Sequence, residues 1–471
     1  MKKIFSIKNA LPIGGLLIAF STIVSCKKLI ELPANPPTQI TRQEQFSDSA
    51  SAMSAVAGVY TYTHGEGIPY SDGFFTTSTA LSANEIALSG ANNIQAQFSE
   101  YMLTSSNGDL SNLWTSPYSA IYQVNDVLDG ITGNSKLSAS FVKQITGEME
   151  VTRAFYYFNL VNLFGGVPLV TSTVYSTNAQ LPRASTTAIY SQILTDLNDA
   201  VKKLPVGYPS AGHIRPNLYT ALALLAKVHL YQGQWSAAFG AADSVISQGG
   251  FSLEPNLNDV FLDGSQEAIW QVPLENGGSG TTEASTFLPY YAGEVPGYIV
   301  TDSLLSQFEA NDQRKTNWLA FSVVGTQTLY YPFKYKVTNV SSSAPAEDYM
   351  LLRLAELYLV RAESAAELNN LAIAVADINT IRTRAGLAPV YPATQADVLA
   401  AVRKERRTEL FCEWGNRWFD LNRTIKDSNY PSTGNIIKVL NGYNPIKDNV
   451  YPIPQSQITL NSHLIQNPGY H

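Results

Sequence analysis

The sequence predicts a mainly α protein in which helical hairpins form a scaffold around an irregular, loop-rich and partly β insertion. Three observations predict it. Apolar residues recur at helical spacing on both sides of the chain's middle, and small residues stand twelve apart at the contact points of two hairpins. Between about 250 and 346 the helical period fades into Gly, Pro, Ser, Thr and aromatics.

Taken from the N-terminus, Lys2, Lys3 and Lys8 precede an apolar run from about Ala10 to Val24, short for a membrane span and interrupted by Pro12 and Gly14-Gly15. These are signal-peptide features. The run closes on Ile23-Val24-Ser25-Cys26, which resembles a bacterial lipobox; residues 1–25 would be removed and Cys26 would carry a diacylglyceryl group. Acyl chains contribute about 0.8 kcal/mol per buried methylene, enough together to hold a protein to a bilayer without a spanning helix. Residues 26–41, with Pro33, Pro36 and Pro37, read as an extended tether, and 42–471 as one domain.

Within that domain Ala50, Met53, Val56, Ala57 and Tyr60 give the first helical stripe, broken by a Gly/Pro/aromatic loop from His64 to Thr79. A helix over Leu110 to Ile131 carries Trp114, Tyr118, Ile121, Tyr122, Val124 and Leu128 on its apolar side. The next, over Ser140 to Phe164, is stopped by Gly165-Gly166 and Pro168. After a helix over Thr186 to Leu204, Leu222, Leu225, Ala226 and His229 lead to a break at Gln232-Gly233-Gln234, and Ala238, Ala242 and Val245 follow it. Ala226 and Ala238 sit where a tetratricopeptide hairpin wants small residues so that two helices can approach closely. Ala362 and Ala374 repeat the spacing, which places hairpins in about 111–249 and 347–415. In the insertion, Ala268 to Val272 and Thr328 to Val337 read as strands and Thr301 to Phe308 as a short helix.

The formal net charge is −7, so there is no basic footprint for nucleic acid. Only Cys26 and Cys412 are present, and with Cys26 lipidated no intrachain disulfide can form. Charged residues make up 15%, against an ordinary share of about 25%, while tyrosines number 26. An uncharged polar surface with many tyrosines suits neutral, hydroxyl-rich ligands. His64, His213, His229, His463 and His471 are scattered without metal-ligand spacing, Gly278-Ser279-Gly280 makes no nucleophile elbow, and Cys412 reads as a structural thiol inside a helical block from Glu405 to Leu421. Neither a metal nor a cofactor is expected. Arg153, Arg353, Glu356, Arg361, Glu363, Arg406, Arg407, Glu409 and Asp420 lie among apolar residues at helical spacing, a position tolerable for charges that pair, so Arg–carboxylate bridges between helices are expected. Glu405 with Glu409, or Glu148 with Glu150, could be imagined as an acid and base. A glycosidase pair needs carboxyls about 5–10 Å apart across a cleft, which helix neighbours rarely provide.

Several blocks combine into a resemblance. Arg153-Ala154-Phe155-Tyr156-Tyr157-Phe158 leads to Asn162-Leu163-Phe164-Gly165-Gly166-Val167-Pro168; Leu351 to Glu363 and Ile378-Asn379-Thr380-Ile381-Arg382-Thr383-Arg384-Ala385-Gly386-Leu387 follow. Then come Glu405-Arg406-Arg407-Thr408-Glu409-Leu410-Phe411, Trp418-Phe419-Asp420-Leu421, and Tyr451-Pro452-Ile453-Pro454 with Gln466-Asn467-Pro468-Gly469-Tyr470. In this order, behind a lipobox, they resemble the SusD (RagB/SusD) family of Bacteroidetes outer-membrane nutrient-binding lipoproteins. The resemblance implies four tetratricopeptide-like hairpins and a non-catalytic ligand site on loops. It also implies a SusC-like TonB-dependent outer-membrane barrel as partner, an oligosaccharide or polysaccharide as ligand, and a lipid anchor as the only membrane contact. It argues for the outer face of the membrane, although Lys27 and Lys28 follow Cys26 where such lipoproteins often carry acidic residues. A scaffold binding only protein partners is the alternative class, and a glycan-cleaving enzyme ranks last.

A glycan site needs exposed aromatics to stack on sugar faces and amide or carboxylate groups for the hydroxyls. Two non-helical segments supply them: Tyr70, Asp72, Phe74 and Phe75, with Asn92 and Asn93 in a later loop, and Tyr290, Tyr291 and Trp318 in the insertion. Trp114 and Trp418 stand inside helical blocks and are assigned to the core.

Overall fold

In the computed structural model, residues 40–64, 73–273, 280–338, 346–424, 442–444 and 447–470 are described. The expected signal peptide, Cys26 and the tether as far as residue 39, together with Tyr70 and Asp72, lie outside them.

Helices begin where a short polar side chain can satisfy the first free N–H groups. After α1 (Arg42–Gln45), α2 (Ser49–His64), α3 (Phe74–Ser82), β1 (Ile86–Leu88), α4 (Asn93–Ser99) and α5 (Gly108–Ile131), Ser138 opens α6 (Ala139–Phe164) by accepting from the Phe141 N–H. Gly165, at φ +71°, ends α6 in the left-handed region that favours glycine. Past α7 (Tyr175–Asn178), Ser185 caps α8 (Thr186–Lys203), and Asn217 caps α9 (Leu218–Tyr231) in a reciprocal box with Thr220. A tight turn leads to α10 (Trp235–Gln248).

The helices form a continuous row. α2 packs on α5, α5 on α6, α6 on α8, α8 on α9, and α9 on α10. α10 then packs directly on α14 (Leu354–Glu367), which is followed by α15 (Leu371–Arg384) and α16 (Gln395–Glu409). The segment between α10 and α14 is therefore looped out of an unbroken stack. Ala226, Ala238, Ala362 and Ala374 are fully buried, as close helix approach requires. α17 (Asn416–Thr424) and α18 (Gln455–Leu460) complete the helices. The tail is strapped to α6: Asn467 donates to the carbonyls of Phe164 (2.9 Å) and Tyr451 (2.7 Å), and the Tyr451 N–H donates to Leu163 (2.7 Å).

The insertion holds β2 (Ala268–Val272), α11 (Thr282–Phe287), β3 (Tyr298–Val300), α12 (Asp302–Leu305), α13 (Gln313–Trp318), β4 (Leu319–Val324) and β5 (Gln327–Pro332), and β6 (Tyr349–Arg353) leads back to α14. Its strands pair antiparallel: β1 with β3 (Ile86 opposite Val300), β2 with β6 (Ala268 opposite Arg353), and β4 with β5 (Leu319 opposite Pro332).

Two expectations need correction. The loop expected from His64 to Thr79 gives way to α3 at Phe74, because Gly73 at φ +74° turns the chain and the following apolar residues find a core to enter. The expected helical block from Glu405 to Leu421 is two helices. α16 ends at Glu409, and Cys412, Trp414 and Gly415 all have positive φ, so Cys412 lies in a buried turn and not in a helix.

The charges embedded in the helices are paired. Arg153 forks onto Asp196 (2.9 and 2.7 Å), Arg361 onto Asp377 (2.9 and 2.6 Å), and Arg406 onto Asp420 (2.7 and 3.1 Å). Glu356 meets Lys227 (2.8 Å) and Glu363 meets Arg423. The centre is Arg353, which reaches Glu267 and Glu409 (2.7 Å each) and Glu413 (2.8 Å). Burial by itself would raise the Glu409 carboxyl; Arg384, Arg353 and Arg314 overcome this and hold it well below the usual range. Arg407 departs from the expectation. It donates to the Ser303 hydroxyl (2.6 Å), and burial pushes its guanidinium down to about 9.

Candidate functional site

Trp318 and Phe75 do not form part of a ligand surface. Trp318 is fully buried, donates its indole N–H to the Leu257 carbonyl (2.8 Å), and lies with its ring centroid 4.8 Å from the Lys334 ammonium. An indole at the end of α13 has more to gain by covering the buried ionic centre than by facing water. Phe75 is fully buried against Trp414 and Phe419, and Phe74 is half-buried at the start of α3. Trp114 and Trp418 are in the core, as expected.

Of the other described candidates, Asn92 and Asn93 follow β1 in the chain, and β1 is paired with the end of the loop that carries Tyr290 and Tyr291. Asn92 caps α4, accepting from Ile94 (3.2 Å) and Gln95 (3.1 Å), and Asn92 and Asn93 are exposed. Because β1 pairs with β3, Ser89 is tied to the far end of the insertion loop: its N–H donates to Gly297 (3.2 Å) and its hydroxyl to Pro296. That loop carries Tyr290, 95% exposed, and Tyr291, 67% exposed. It is closed by the Tyr290 N–H donating to Glu294 (2.6 Å). Gly293, at φ +87°, lets it pass close to the Val323 carbonyl on β4. There Phe321 (58% exposed) and Val323 point outward, and Phe321 leans on Tyr330 with centroids 5.7 Å apart. Sequence reasoning missed Phe321. The strand alternates with Phe321 and Val323 exposed and Ser322 buried between them, the reverse of the usual apolar-inward pattern, so the sequence carried no signal for it.

A second aromatic surface runs along α5. Trp114, Tyr118 and Tyr122 follow at four-residue steps beside an open groove of about 560 Å³ that Gln123 and, from α18, Gln457 also line. Each four-residue step advances about 40° around a helix, so two steps carry the stripe about 80° away from the core line. Trp114 is thus buried against Phe164 (5.0 Å between centroids), whereas Tyr122, expected on the apolar side, is half exposed.

The carboxylates first considered as an acid–base pair are committed elsewhere. Glu405 accepts from Arg314 and Arg382 (2.8 Å each), and Glu148 accepts from Arg215 (2.8 and 2.7 Å) and the Tyr60 hydroxyl (2.7 Å). Among the described residues no group of three His, Cys, Asp or Glu is placed to hold a metal, and no helix is long and apolar enough to cross a membrane.

Residues 36–230 match a family described as starch-binding associating with outer membrane, and residues 314–470 match the SusD family. The chain belongs to the SusD-like family. It is 25% identical to SusD-like protein P25 of Formosa agariphila over 98% of this chain and 100% of that one. A solved structure of a laminarin-binding SusD-like protein is 26% identical, with a TM-score of 0.73 over 90% of this chain and 99% of that one. A SusD superfamily protein of Bacteroides vulgatus, 19% identical, shares the fold at a TM-score of 0.78 over 90% and 99% of the two chains. The SusD-like blocks read in the sequence map onto the structure as core: Arg353 and Glu409 hold the buried ionic centre, Arg406 pairs with Asp420, and Asn467 holds the tail.

Proposed function

We propose that this SusD-like protein is a non-catalytic, lipid-anchored cell-surface protein that captures a neutral oligosaccharide or polysaccharide and passes it to a SusC-like TonB-dependent barrel. The observation that carries the reading is the exposed Tyr290–Tyr291 pair, on a loop that also approaches the exposed Phe321 strand and is tied through Ser89 to the segment leading to Asn92 and Asn93. Aromatic rings left in water present flat apolar surface to sugar faces while a tyrosine hydroxyl keeps a polar edge, and neighbouring amides suit hydroxyls. Similarity to a laminarin-binding protein supports a glycan ligand. Commitment of Glu405, Glu409 and Glu148 to arginines supports binding without cleavage.

Titration calorimetry with laminarin and other soluble neutral glucans tests this. Tyr290→Ala with Tyr291→Ala should weaken binding at least tenfold with an unchanged melting temperature. Trp318→Ala should instead lower stability by about 3–5 kcal/mol, as truncation of a buried tryptophan does. Unchanged affinity in the double tyrosine variant would remove the proposed face, and release of reducing ends from the glucan would overturn the non-catalytic reading.

A further inference from the structure

A cavity of about 430 Å³, whose lining shares no residue with the loop face, lies where the α8–α9 connection meets the α10–β2 connection. Its wall is aromatic: Tyr208 stacks on His213 with centroids 4.1 Å apart, and Phe251 stands edge-on to both. No Asp, Glu, Lys or Arg lines it, while Asn217, Gln248, Gln266 and Gln271 bring four amides. This volume falls within the range of small-ligand pockets.

Two hydrogen-bond acceptors there are uncommitted. His213 Nδ1 lies 2.7 Å from the Ala268 carbonyl, and a carbonyl only accepts, so Nδ1 carries the proton and Nε2 of the neutral ring presents a lone pair. Burial lowers the His213 pKa, which favours that neutral ring. Gln271 donates through Nε2 to Asp348 (2.7 Å), which fixes its amide orientation, yet its buried Oε1 has no partner. A buried polar atom left unpaired costs stability, so its retention asks for an explanation.

We infer that this cavity is a second carbohydrate subsite, taking a single neutral sugar unit whose hydroxyls donate to His213 Nε2 and Gln271 Oε1 against the aromatic wall. It rests on the glycan-binding reading and extends it to residues outside the loop face. The lining contains no fixed charge, so neutral sugars are taken in preference to uronic or sulfated ones.

The test uses the chain from Lys27 onward, with glucose, galactose, mannose, N-acetylglucosamine and laminaritriose as probes, followed by saturation-transfer NMR and calorimetry. The comparison background is the Tyr290→Ala/Tyr291→Ala variant, which lacks the loop face. This background should still bind at least one probe. His213→Phe, which keeps the ring but removes Nε2, and Gln248→Trp, which fills the exposed mouth without touching the core, should each weaken that binding at least tenfold. Gln248→Trp keeps the test valid if His213→Phe loses its fold. If the wild-type chain binds a probe and the double tyrosine variant binds none, the subsite is overturned while the loop-face reading stands. Equal binding in the background and in Gln248→Trp also overturns it. If the wild-type chain binds no saccharide at all, both readings fail together.

Discussion

Single residues in this protein divide into those whose charge must be matched inside the core and those whose rings are left outside it. Glu409 accepts from Arg353, Arg384 and Arg314, and its replacement by Gln leaves three guanidinium groups short of a counter-charge in a region closed to water. Breaking such a buried set costs about 3–5 kcal/mol. Glu409→Gln should lower the urea midpoint accordingly, and a midpoint unchanged from wild type would refute that role. Glu85 behaves in the opposite sense. Burial pushes its carboxyl up to about 7 from an ordinary 4.5, offset in part by the Cys412 N–H and by Arg417 and Arg407. A carboxyl whose folded pKa lies above its unfolded value binds its proton more tightly in the folded state. The resulting stability is complete below about 4.5 and is lost as pH rises through about 7. Burial also pushes Glu283 and Asp348 up to about 7, so all three act in one window. Stability should fall between about pH 5 and pH 8. Glu85→Gln, neutral throughout, should show a smaller fall in urea midpoint across that range, and identical slopes would show that Glu85 does not titrate there.

At the scale of elements, the row of helices depends on how closely neighbours approach. Ala226 on α9 and Ala238 on α10 are both fully buried where these helices meet. Larger side chains there force the helices apart, at about 1–3 kcal/mol for overpacking. Ala226→Leu should therefore lower the melting temperature, whereas the same change at Gly240, whose added Cβ meets nothing within 4 Å, should not. These helices were legible in the sequence because a period of 3.6 is local. The break between α16 and α17 was not, since Cys412 and Trp414 adopt positive φ only because their side chains are drawn into a core built from distant elements. Phe321 escaped notice for a related reason: which side of a two-stranded hairpin faces water depends on what the other side packs against.

For the whole molecule, the proposed anchor and loop face would together set what the protein can reach. Cys26→Ser should move the protein from the membrane fraction to the soluble one, and protease added to intact cells should degrade the wild type. Full protection of the membrane-bound form would instead place it on the periplasmic side. The sequence by itself determined the helical class, the charged blocks that pair in the core and the family they mark, because periodicity and motif spacing are written along the chain. Only the tertiary structure decided which aromatics face water. Trp318 and Tyr291 belong to one stretch of similar composition, yet the first is sealed beneath the ionic centre and the second stands in water. Burial is settled by contacts between segments far apart in the chain, and no local pattern carries that information.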